Sequence, residues 1–199
     1  DEELCQEVVL KKYRWEHGSL DNEVINKRDY YKKQRKAFLN EARILSSLFD
    51  IKEVVKVLDY FEERENAYIV MEFVQGISLR QYLESRNQPM SFTEAWNFLL
   101  PVMEALEKVH QNKLIHRDIS PDNFIIKEDG SIKLLDFGSA REYAEEKTMT
   151  VLVKKGYAPP EQYSRKGKQG PWTDIYSICA TLYEMITGVI PQPAMERLK

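Results

Sequence analysis

The chain has 199 residues, of which 43% are hydrophobic and 31% are charged, and its formal net charge is −3. This length and composition predict a globular protein of one domain or slightly more, with enough chain to bury a core. The small negative charge excludes a general electrostatic attraction to nucleic acid or to an anionic membrane. Two basic runs, at 27–36 and 164–168, are more typical of a solvated helix face and a surface loop, so we expect no nucleic-acid partner.

Two cysteines, Cys5 and Cys179, lie far apart in the chain, and Cys179 falls in an apolar helical pattern where a buried free thiol is the usual state. They indicate a reducing compartment, and we expect a cytoplasmic protein. The longest apolar stretch, 175–190, is interrupted by Glu184 and other polar residues, which favours a core helix over a membrane span. Because the chain opens on Asp1 and not on methionine, we expect that residues are missing upstream.

The first part of the chain has the pattern of a small sheet with one long helix. The stretch VVLKKY at 8–13 is rich in β-branched residues and is predicted as a strand, and apolar residues at helical spacing predict a helix over 29–48. Two further strands are predicted at 54–61 and 67–73, joined by a turn.

After Gly76 the pattern becomes mainly helical. A short helix is predicted over 78–86 and a long one over 91–113, where Ser91 and Glu94 fit a capping box. The buried face of the long helix is expected to comprise Trp96, Leu99, Leu100, Met103, Leu106 and His110.

Two short strands are predicted to form a hairpin after the long helix. They cover 123–127 and 131–135 and are linked through Asp129 and Gly130, a strong pair for a hairpin turn. A last helix is predicted over 173–187.

Oxygen-bearing side chains lie at both ends of this hairpin. Asp118 precedes its first strand, Asn123 stands at the start of that strand, and Asp136 follows its second strand. Because a hairpin returns its ends to one neighbourhood, we expect these three side chains to converge. Carboxylate and amide oxygens suit Mg²⁺, which is usually bound together with substrate phosphates. The sequence therefore predicts a nucleotide site with magnesium.

Three short stretches resemble the signature set of protein kinases in their order and spacing: HRDISPDN at 116–123, DFG at 136–138 and APPE at 158–161. Their wording looks most like bacterial serine/threonine protein kinases. The resemblance covers nearly the whole chain and implies an α+β, two-lobed protein-kinase-like fold. It implies a small antiparallel-sheet N-lobe with one long helix at 1–73, followed by a hinge and a mainly helical C-lobe at 74–199.

The same resemblance predicts that the fold is truncated at both ends. No glycine lies among the ten residues before Lys11, so the glycine-rich loop of the family is missing, and the last C-lobe helices are missing as well. Apolar surface that those parts would cover predicts self-association of an isolated fragment.

The resemblance also assigns catalytic roles. Asp118 resembles the aspartate that orients the substrate hydroxyl group and accepts its proton, and Asn123 and Asp136 resemble the two metal-ligand positions. Lys11 resembles the lysine that pairs with the α- and β-phosphates, with Glu41 on the following helix as its partner. In isolation, Lys11 would be interpreted as an exposed strand lysine. The implied cofactors are ATP and Mg²⁺.

Adenine contacts are implied around the hinge. Met71 resembles the gatekeeper, Glu72 offers a backbone carbonyl group, and Val74 offers an N–H and a carbonyl group. Val9 and Ile125 are expected to sandwich the adenine ring as part of the core.

Ser120 departs from the pattern, because the family usually has a lysine there that reaches the γ-phosphate. Losing this charge slows phosphoryl transfer unless another group supplies it. Lys154 stands where the family commonly has a threonine facing that lysine. Lys154 either crosses over and restores the charge or is a solvated lysine of the activation loop, and both interpretations stay open here.

Other positions suggest regulation and support. Arg117 resembles the arginine that pairs with a phosphorylated activation-loop residue, for which Thr148 and Thr150 are candidates, although they can equally be plain loop threonines. Asp174 resembles the buried helix aspartate that holds the backbone of the catalytic loop, and Tyr157 is expected to be structural.

Three functions are compatible with these residues. The first is transfer of the ATP γ-phosphoryl group to serine or threonine hydroxyls of a protein substrate. The alternative is a pseudokinase or nucleotide-binding interaction module, which Ser120 and the missing lid would favour. A third function, phosphotransfer to small molecules, is disfavoured because such relatives usually have a small residue where Arg117 stands.

Overall fold

The computed structural model describes residues 7–13, 27–64, 66–137, 140–142, 153–164 and 166–198. The chain forms two compact units. The first comprises Asp1–Asp50 and Val55–Phe73, and the second comprises Ile51–Val54 and Val74–Lys199.

The first unit is an antiparallel sheet with one long helix packed on it. Its strands are β1 (Val8–Tyr13), β2 (Val57–Glu63) and β3 (Asn66–Glu72), in the order β1-β3-β2, and its helix is α1 (Lys27–Ser47). The helix packs mainly against β2 and β3, because its apolar residues recur every three or four positions and so share one face. The core of this unit includes Ala42, Leu45, Leu48, Val57, Ala67 and Ile69.

The strand β1 is more exposed than predicted. It pairs with β3 and lies at an edge of the three-stranded sheet. The Val9 side chain is 40% exposed, and its neighbours Val8 and Leu10 are exposed as well. Successive residues of a strand face opposite sides, so both faces of β1 are exposed at its first three residues, whereas Lys11 and Tyr13 are half-buried. The expectation that Val9 belongs to the core is therefore wrong for the described structure.

The second unit is mainly helical with two small antiparallel sheets. Its elements are β4 (Ile77–Ser78), α2 (Leu79–Ser85), α3 (Phe92–Gln111), β5 (Leu114–Ile115), β6 (Phe124–Ile126), β7 (Ile132–Leu134), β8 (Arg141–Glu142), α4 (Pro171–Thr187) and α5 (Ala194–Arg197). The strand orders of the two sheets are β4-β6-β7 and β5-β8. The predicted α+β class is confirmed, and so are the predicted helices and hairpin, whereas β4, β5, β8 and α5 are too short for the sequence pattern to predict.

Local sequence explains where these helices begin and end. The Ser91 side chain caps α3 by accepting a hydrogen bond from the Glu94 backbone N–H, which is half of the predicted capping box. The Glu94 carboxylate pairs with Arg86 instead of closing the box. Ser78 and Gln81 form a reciprocal capping box at the start of α2. Gly188 ends α4 in the left-handed conformation at φ 71°, which glycine adopts without a steric penalty.

The helix α3 buries a face that is rotated from the predicted one: Leu99 and Leu106 are buried as predicted, but Trp96 and Leu100 are not. Trp96 is 41% exposed and Leu100 is similarly exposed, and Trp96 stacks on Phe92 with 5.8 Å between ring centroids. Small side chains on the buried face allow α3 to pack closely against α4, β5 and β7. The predicted face follows the largest apolar side chains and therefore misses the alanines. The buried residues are Ala95, Leu99, Val102, Ala105, Leu106 and Val109.

The helix α4 has one buried side and one exposed side. Ile178 is buried, but Cys179 is exposed because adjacent helical residues point about 100° apart. The prediction of a buried Cys179 is therefore wrong. Among the helices of the described ranges, none is both long enough and apolar enough to cross a membrane.

Candidate active site

The loop between β5 and β6 brings Asp118 and Asn123 together. The Asn123 Nδ2 donates hydrogen bonds to the Asp118 backbone oxygen at 2.6 Å and to the Asp118 carboxylate Oδ2 at 3.1 Å. A single 3-10 turn, Pro121–Asn123, shapes the loop, and the Asn123 N–H donates to the Ser120 carbonyl oxygen at 3.0 Å. The loop thus closes on itself with the predicted base and the predicted metal ligand side by side.

Asp136 follows β7, and main-chain bonds tie its neighbour to the same loop. The Leu135 N–H donates to the Asn123 carbonyl oxygen at 2.8 Å, and the His116 Nε2 lies 2.8 Å from the Leu135 carbonyl oxygen. Asp136 itself has an exposed side chain and a positive φ of 53°. This conformation costs a non-glycine residue about 1–2 kcal/mol, and such strain is concentrated at functional sites.

His116 connects several residues of this loop through both of its ring nitrogens. Its Nε2 faces a carbonyl oxygen and must carry the hydrogen, while its Nδ1 accepts from the Asp118 backbone N–H at 3.2 Å. The Phe137 ring packs edge-on against the imidazole with 4.4 Å between centroids. Through these contacts His116 connects the backbone of Asp118 with Leu135 and Phe137, the two neighbours of Asp136.

The fully buried Asp174 on α4 anchors the start of the catalytic loop, as predicted. Its Oδ2 accepts from the His116 N–H and its Oδ1 from the Arg117 N–H, both at 2.8 Å. The His110 Nε2 lies 2.8 Å from the same Oδ2. Arg117 has a positive φ of 72°, so this carboxylate holds a backbone conformation that is unfavourable by itself.

Gln162 is a supporting residue that the sequence did not reveal. It is buried in the turn Pro160–Tyr163, and its Nε2 donates to the Arg117 carbonyl oxygen at 2.8 Å. Both main-chain polar groups of Arg117 are therefore held by buried side chains. In the sequence, Gln162 is marked only by its position directly after Glu161 of the APPE stretch, and that position does not indicate a contact with Arg117.

Lys154 lies against the catalytic loop. Its Nζ is 2.8 Å from the Ser120 Oγ and 2.5 Å from the Asp122 Oδ2, and the Ser120 side chain is fully buried. Lys154 is 35% exposed, so it is partly sheltered and is not a fully solvated loop lysine. This is the position that the cross-over interpretation predicts, whereas its role in transfer stays a prediction.

Asp122 is held between two cations. Lys154 contacts one carboxylate oxygen, and the Arg80 Nε lies 3.4 Å from the other. Partial burial alone would raise the pKa of the Asp122 carboxyl group, but the hydrogen bond and charge of Lys154, with the charge of Arg80, outweigh it. The pKa is therefore lowered from the ordinary aspartate value.

A buried cluster joins α2, the segment after 153, and α4. The Tyr157 hydroxyl group donates to the Glu184 Oε2 at 2.5 Å, and Arg80 forms an ion pair with Glu184 and donates from Nη2 to the Tyr157 hydroxyl at 2.6 Å. Burial, followed by the hydrogen bond with Glu184, raises the pKa of Tyr157. The predicted structural role of Tyr157 agrees with these contacts.

The predicted phosphate-binding pair belongs to the first unit. Lys11 lies on β1 opposite Ile69, and its side chain is partly buried. Glu41 lies on α1, but its side chain is outside the described part of the chain, as are both threonines proposed for phosphorylation, Thr148 and Thr150.

The predicted adenine-binding residues occupy several elements. In the first unit, Val9 on β1 pairs with Met71 on β3, and the Glu72 N–H donates to the Lys56 carbonyl oxygen at 3.0 Å. In the second unit, Ile125 on β6 pairs with Ser78 on β4, and Val74 is partly exposed in the segment after β3.

The donor set near Asp118 fits a magnesium ion. Because the Asn123 amide nitrogen faces Asp118, its carbonyl oxygen points the other way and can coordinate a cation. Asp136 supplies a carboxylate, and Mg²⁺ is usually bound through one or two carboxylates together with substrate phosphates. Asn123 and Asp136 therefore stay the residues predicted to hold this ion.

This combination of a small antiparallel sheet, a helical unit and a closed catalytic loop is that of a protein-kinase-like fold. A family profile described as "Protein kinase domain" matches residues 10–199. The chain therefore belongs to the protein kinase family. A solved structure described as "PpkA-294 apo form" is similar with a TM-score of 0.74 and 30% identity, covering 96% of this chain and 70% of that one.

The similar curated proteins include bacterial serine/threonine kinases, which confirms the resemblance found in the sequence. Serine/threonine-protein kinase PrkC of Bacillus subtilis (strain 168) is 37% identical over 191 residues, which are 94% of this chain and 27% of that protein. Serine/threonine-protein kinase PknL of Mycobacterium tuberculosis (strain ATCC 25618 / H37Rv) is 36% identical over 157 residues, which are 77% of this chain and 39% of that protein. The chain thus spans less than half the length of either relative.

Proposed function

We propose that this protein transfers the γ-phosphoryl group of ATP to serine or threonine hydroxyl groups of proteins. The observation that carries the proposal is the closed loop in which Asn123 holds Asp118 while Leu135, next to Asp136, is bonded to the same loop. Such a loop meets the main demand of phosphoryl transfer, which is positioning together with stabilisation of charge.

In the proposed reaction, the hydroxyl oxygen forms a bond to the γ-phosphorus. The bond between that phosphorus and the bridging oxygen breaks, and ADP leaves with the electron pair. Asp118 orients the hydroxyl group and accepts its proton. Asn123 fixes the Asp118 carboxylate through its Nδ2 hydrogen bond. When bound, Mg²⁺ supplies positive charge that offsets the phosphate oxygens.

The remaining predicted residues keep their roles within this proposal. Lys11 pairs with the α- and β-phosphates and Glu41 orients it, and both lie on elements of the same unit. The adenine contacts are those given above. We regard residues 1–73 as the N-lobe and 74–199 as the hinge and C-lobe of the kinase fold. We place the reaction in the cytoplasm, because two cysteines far apart in the chain indicate a reducing compartment.

A protein acceptor is favoured over a small molecule. Arg117 is held by Asp174 at its N–H and by Gln162 at its carbonyl group, so the catalytic loop is tied to the turn that ends the activation segment. Small-molecule phosphotransferases that resemble this family usually have a small residue where Arg117 stands, so this arginine favours a protein acceptor. The similar bacterial proteins are also named serine/threonine-protein kinases.

The proposal is tested by incubating the intact protein with Mg²⁺ and γ-labelled ATP in the presence of casein as a protein acceptor. Acid hydrolysis should recover labelled phosphoserine and phosphothreonine. Asp136→Asn should abolish the label, whereas Asp50→Asn, at an exposed position after α1, should not. Label confined to small molecules or to phosphotyrosine would contradict the proposal. Tight Mg·ATP binding without transfer would favour the pseudokinase alternative.

A further inference from the structure

The catalytic loop has no cation of its own at the place where negative charge develops. The four residues between Asp118 and Asn123 are Ile119, Ser120, Pro121 and Asp122, which together contribute only a negative charge. Preorganised positive groups near the reacting phosphoryl group are usually the largest source of acceleration. The loop therefore requires a positive group from another part of the chain.

Lys154 reaches this loop from a rigid base. The Lys154 carbonyl oxygen accepts backbone hydrogen bonds from Tyr157 at 3.1 Å and from Ala158 at 3.0 Å. Its ammonium group then lies 2.8 Å from the Ser120 Oγ, two residues after Asp118. Because Ser120 is small and fully buried, the space beyond its hydroxyl group is taken by the lysine. Both ends of the lysine are therefore positioned.

The ammonium group keeps capacity to bind a phosphate. A lysine has three N–H donors, of which Ser120 and Asp122 accept two. Asp122 also faces Arg80, so its negative charge is shared between two cations, and its side chain is 42% exposed, which screens it. Asp122 therefore directs Lys154 without neutralising it completely.

We propose that Lys154 is a catalytic residue that binds the γ-phosphate and stabilises its charge during transfer. Ser120 and Asp122 are positioning residues that act through Lys154. This inference rests on the proposed phosphoryl transfer, in which the phosphorus–oxygen bond to ADP breaks as the bond to the hydroxyl oxygen forms. The lysine forms no covalent bond and donates hydrogen bonds only.

The first test compares Lys154→Met with Lys155→Met in the intact protein. Methionine removes the charge but keeps an unbranched side chain, and Lys155 is the adjacent, exposed lysine. We expect the kcat of Lys154→Met to fall by about 100-fold or more at saturating Mg·ATP. The Lys155→Met variant should stay within about twofold of the wild type, because its charge is solvated. Equal rates for the two variants would overturn the inference.

A second test measures binding and does not require turnover. Calorimetry compares the affinity for the Mg²⁺ complex of β,γ-imido-ATP with that for Mg·ADP, which lacks the γ-phosphate. The wild type should prefer the triphosphate, and Lys154→Met should lose at least about fivefold of this preference while Lys155→Met keeps it. An unchanged preference in Lys154→Met would overturn the inference, even if the protein transfers no phosphate.

The variant Asp122→Asn distinguishes the effect of the Lys154 ammonium group from the effect of its ion pair with Asp122. If Lys154 acts on the phosphate, this variant should lower the kcat by about tenfold at most, because the lysine and its contact with Ser120 remain. A loss as large as that of Lys154→Met, with the triphosphate preference of the binding test unchanged, would show that the ion pair acts apart from the γ-phosphate and would overturn the role of Lys154. Failure of the wild type to transfer phosphate would instead contradict the proposed function, since the binding test stands apart from it.

Discussion

Replacing the buried Asp174 by asparagine tests how much the helix α4 contributes to the catalytic loop. The carboxylate accepts from two backbone N–H groups and contacts His110. Asparagine keeps one acceptor oxygen but turns an NH₂ group toward a backbone donor. One of the two N–H groups, on His116 or on Arg117, then loses its partner inside the protein.

The expected cost follows from these contacts. Leaving a buried donor without a partner, after losing a hydrogen bond to a charged group, costs about 2–3 kcal/mol. For a chain of this size, 1 kcal/mol corresponds to about 2–4 °C in melting temperature, so the Tm of Asp174→Asn should fall by about 4–12 °C. Asp174→Ala removes both acceptors and should cost about 3–6 kcal/mol. Transfer should also slow, because the loop that carries Asp118 loses its anchor.

The measurement is thermal and urea unfolding followed by circular dichroism, with Asp50→Asn as the matched control. Asp50 is exposed, so its amide should leave the Tm within about 1 °C of the wild type. A Tm for Asp174→Asn equal to that of the control would refute the reasoning, since it would mean that the two buried N–H groups do not depend on this carboxylate.

Three further predictions concern the surroundings of the loop. Arg80→Ala leaves the buried Glu184 without its cation and should lower the free energy of unfolding, measured in urea, by about 2–4 kcal/mol. The double variant that also carries Glu184→Gln should recover part of this loss. A change below about 0.5 kcal/mol in Arg80→Ala would contradict the prediction. Because the pKa of Asp122 is lowered in the folded state, its ion pair stabilises the fold above the ordinary aspartate pKa of about 3.9, and this stabilisation is lost as the pH falls through the pKa of the folded state. The side chain is partly exposed, so the effect should stay under about 1 kcal/mol. Asp122→Asn should remove this acid-dependent loss of stability in urea unfolding. Asn123→Ala should reduce the kcat by about 100-fold or more and raise the Mg²⁺ concentration needed for half-maximal transfer, and an unchanged magnesium dependence would argue against its role as a ligand.

The elements and the loop were predictable because their signals are local. The hairpin around Gly130, the cap at Ser91, and the order of polar residues from His116 to Asp136 each depend on short stretches of sequence. The inner face of α3 was not predictable, because it depends on which side chains are small enough for close packing. In that helix Ala95 decides the face more than Trp96 does.

Contacts between distant residues account for the rest. The pair Arg80 and Glu184 joins residues 104 positions apart, and Gln162 reaches back 45 positions to Arg117, so neither leaves a pattern in the local sequence. The contact between Lys154 and Ser120 was foreseen only because Ser120 departs from the pattern of the family. Adenine contacts made by main-chain groups leave little trace at any position, since every residue has the same backbone donors and acceptors.

The central claim is that Asp118 carries out proton transfer in a phosphoryl-transfer site, and single-turnover kinetics test it most directly. With the intact protein in excess over γ-labelled ATP, Asp118→Asn should transfer phosphate about 10²- to 10⁴-fold more slowly than the wild type. Its affinity for Mg·ATP should change by less than about threefold, because Asn123 can still bond to the residue 118 backbone oxygen. A variant that transfers phosphate at the wild-type rate would contradict the claim.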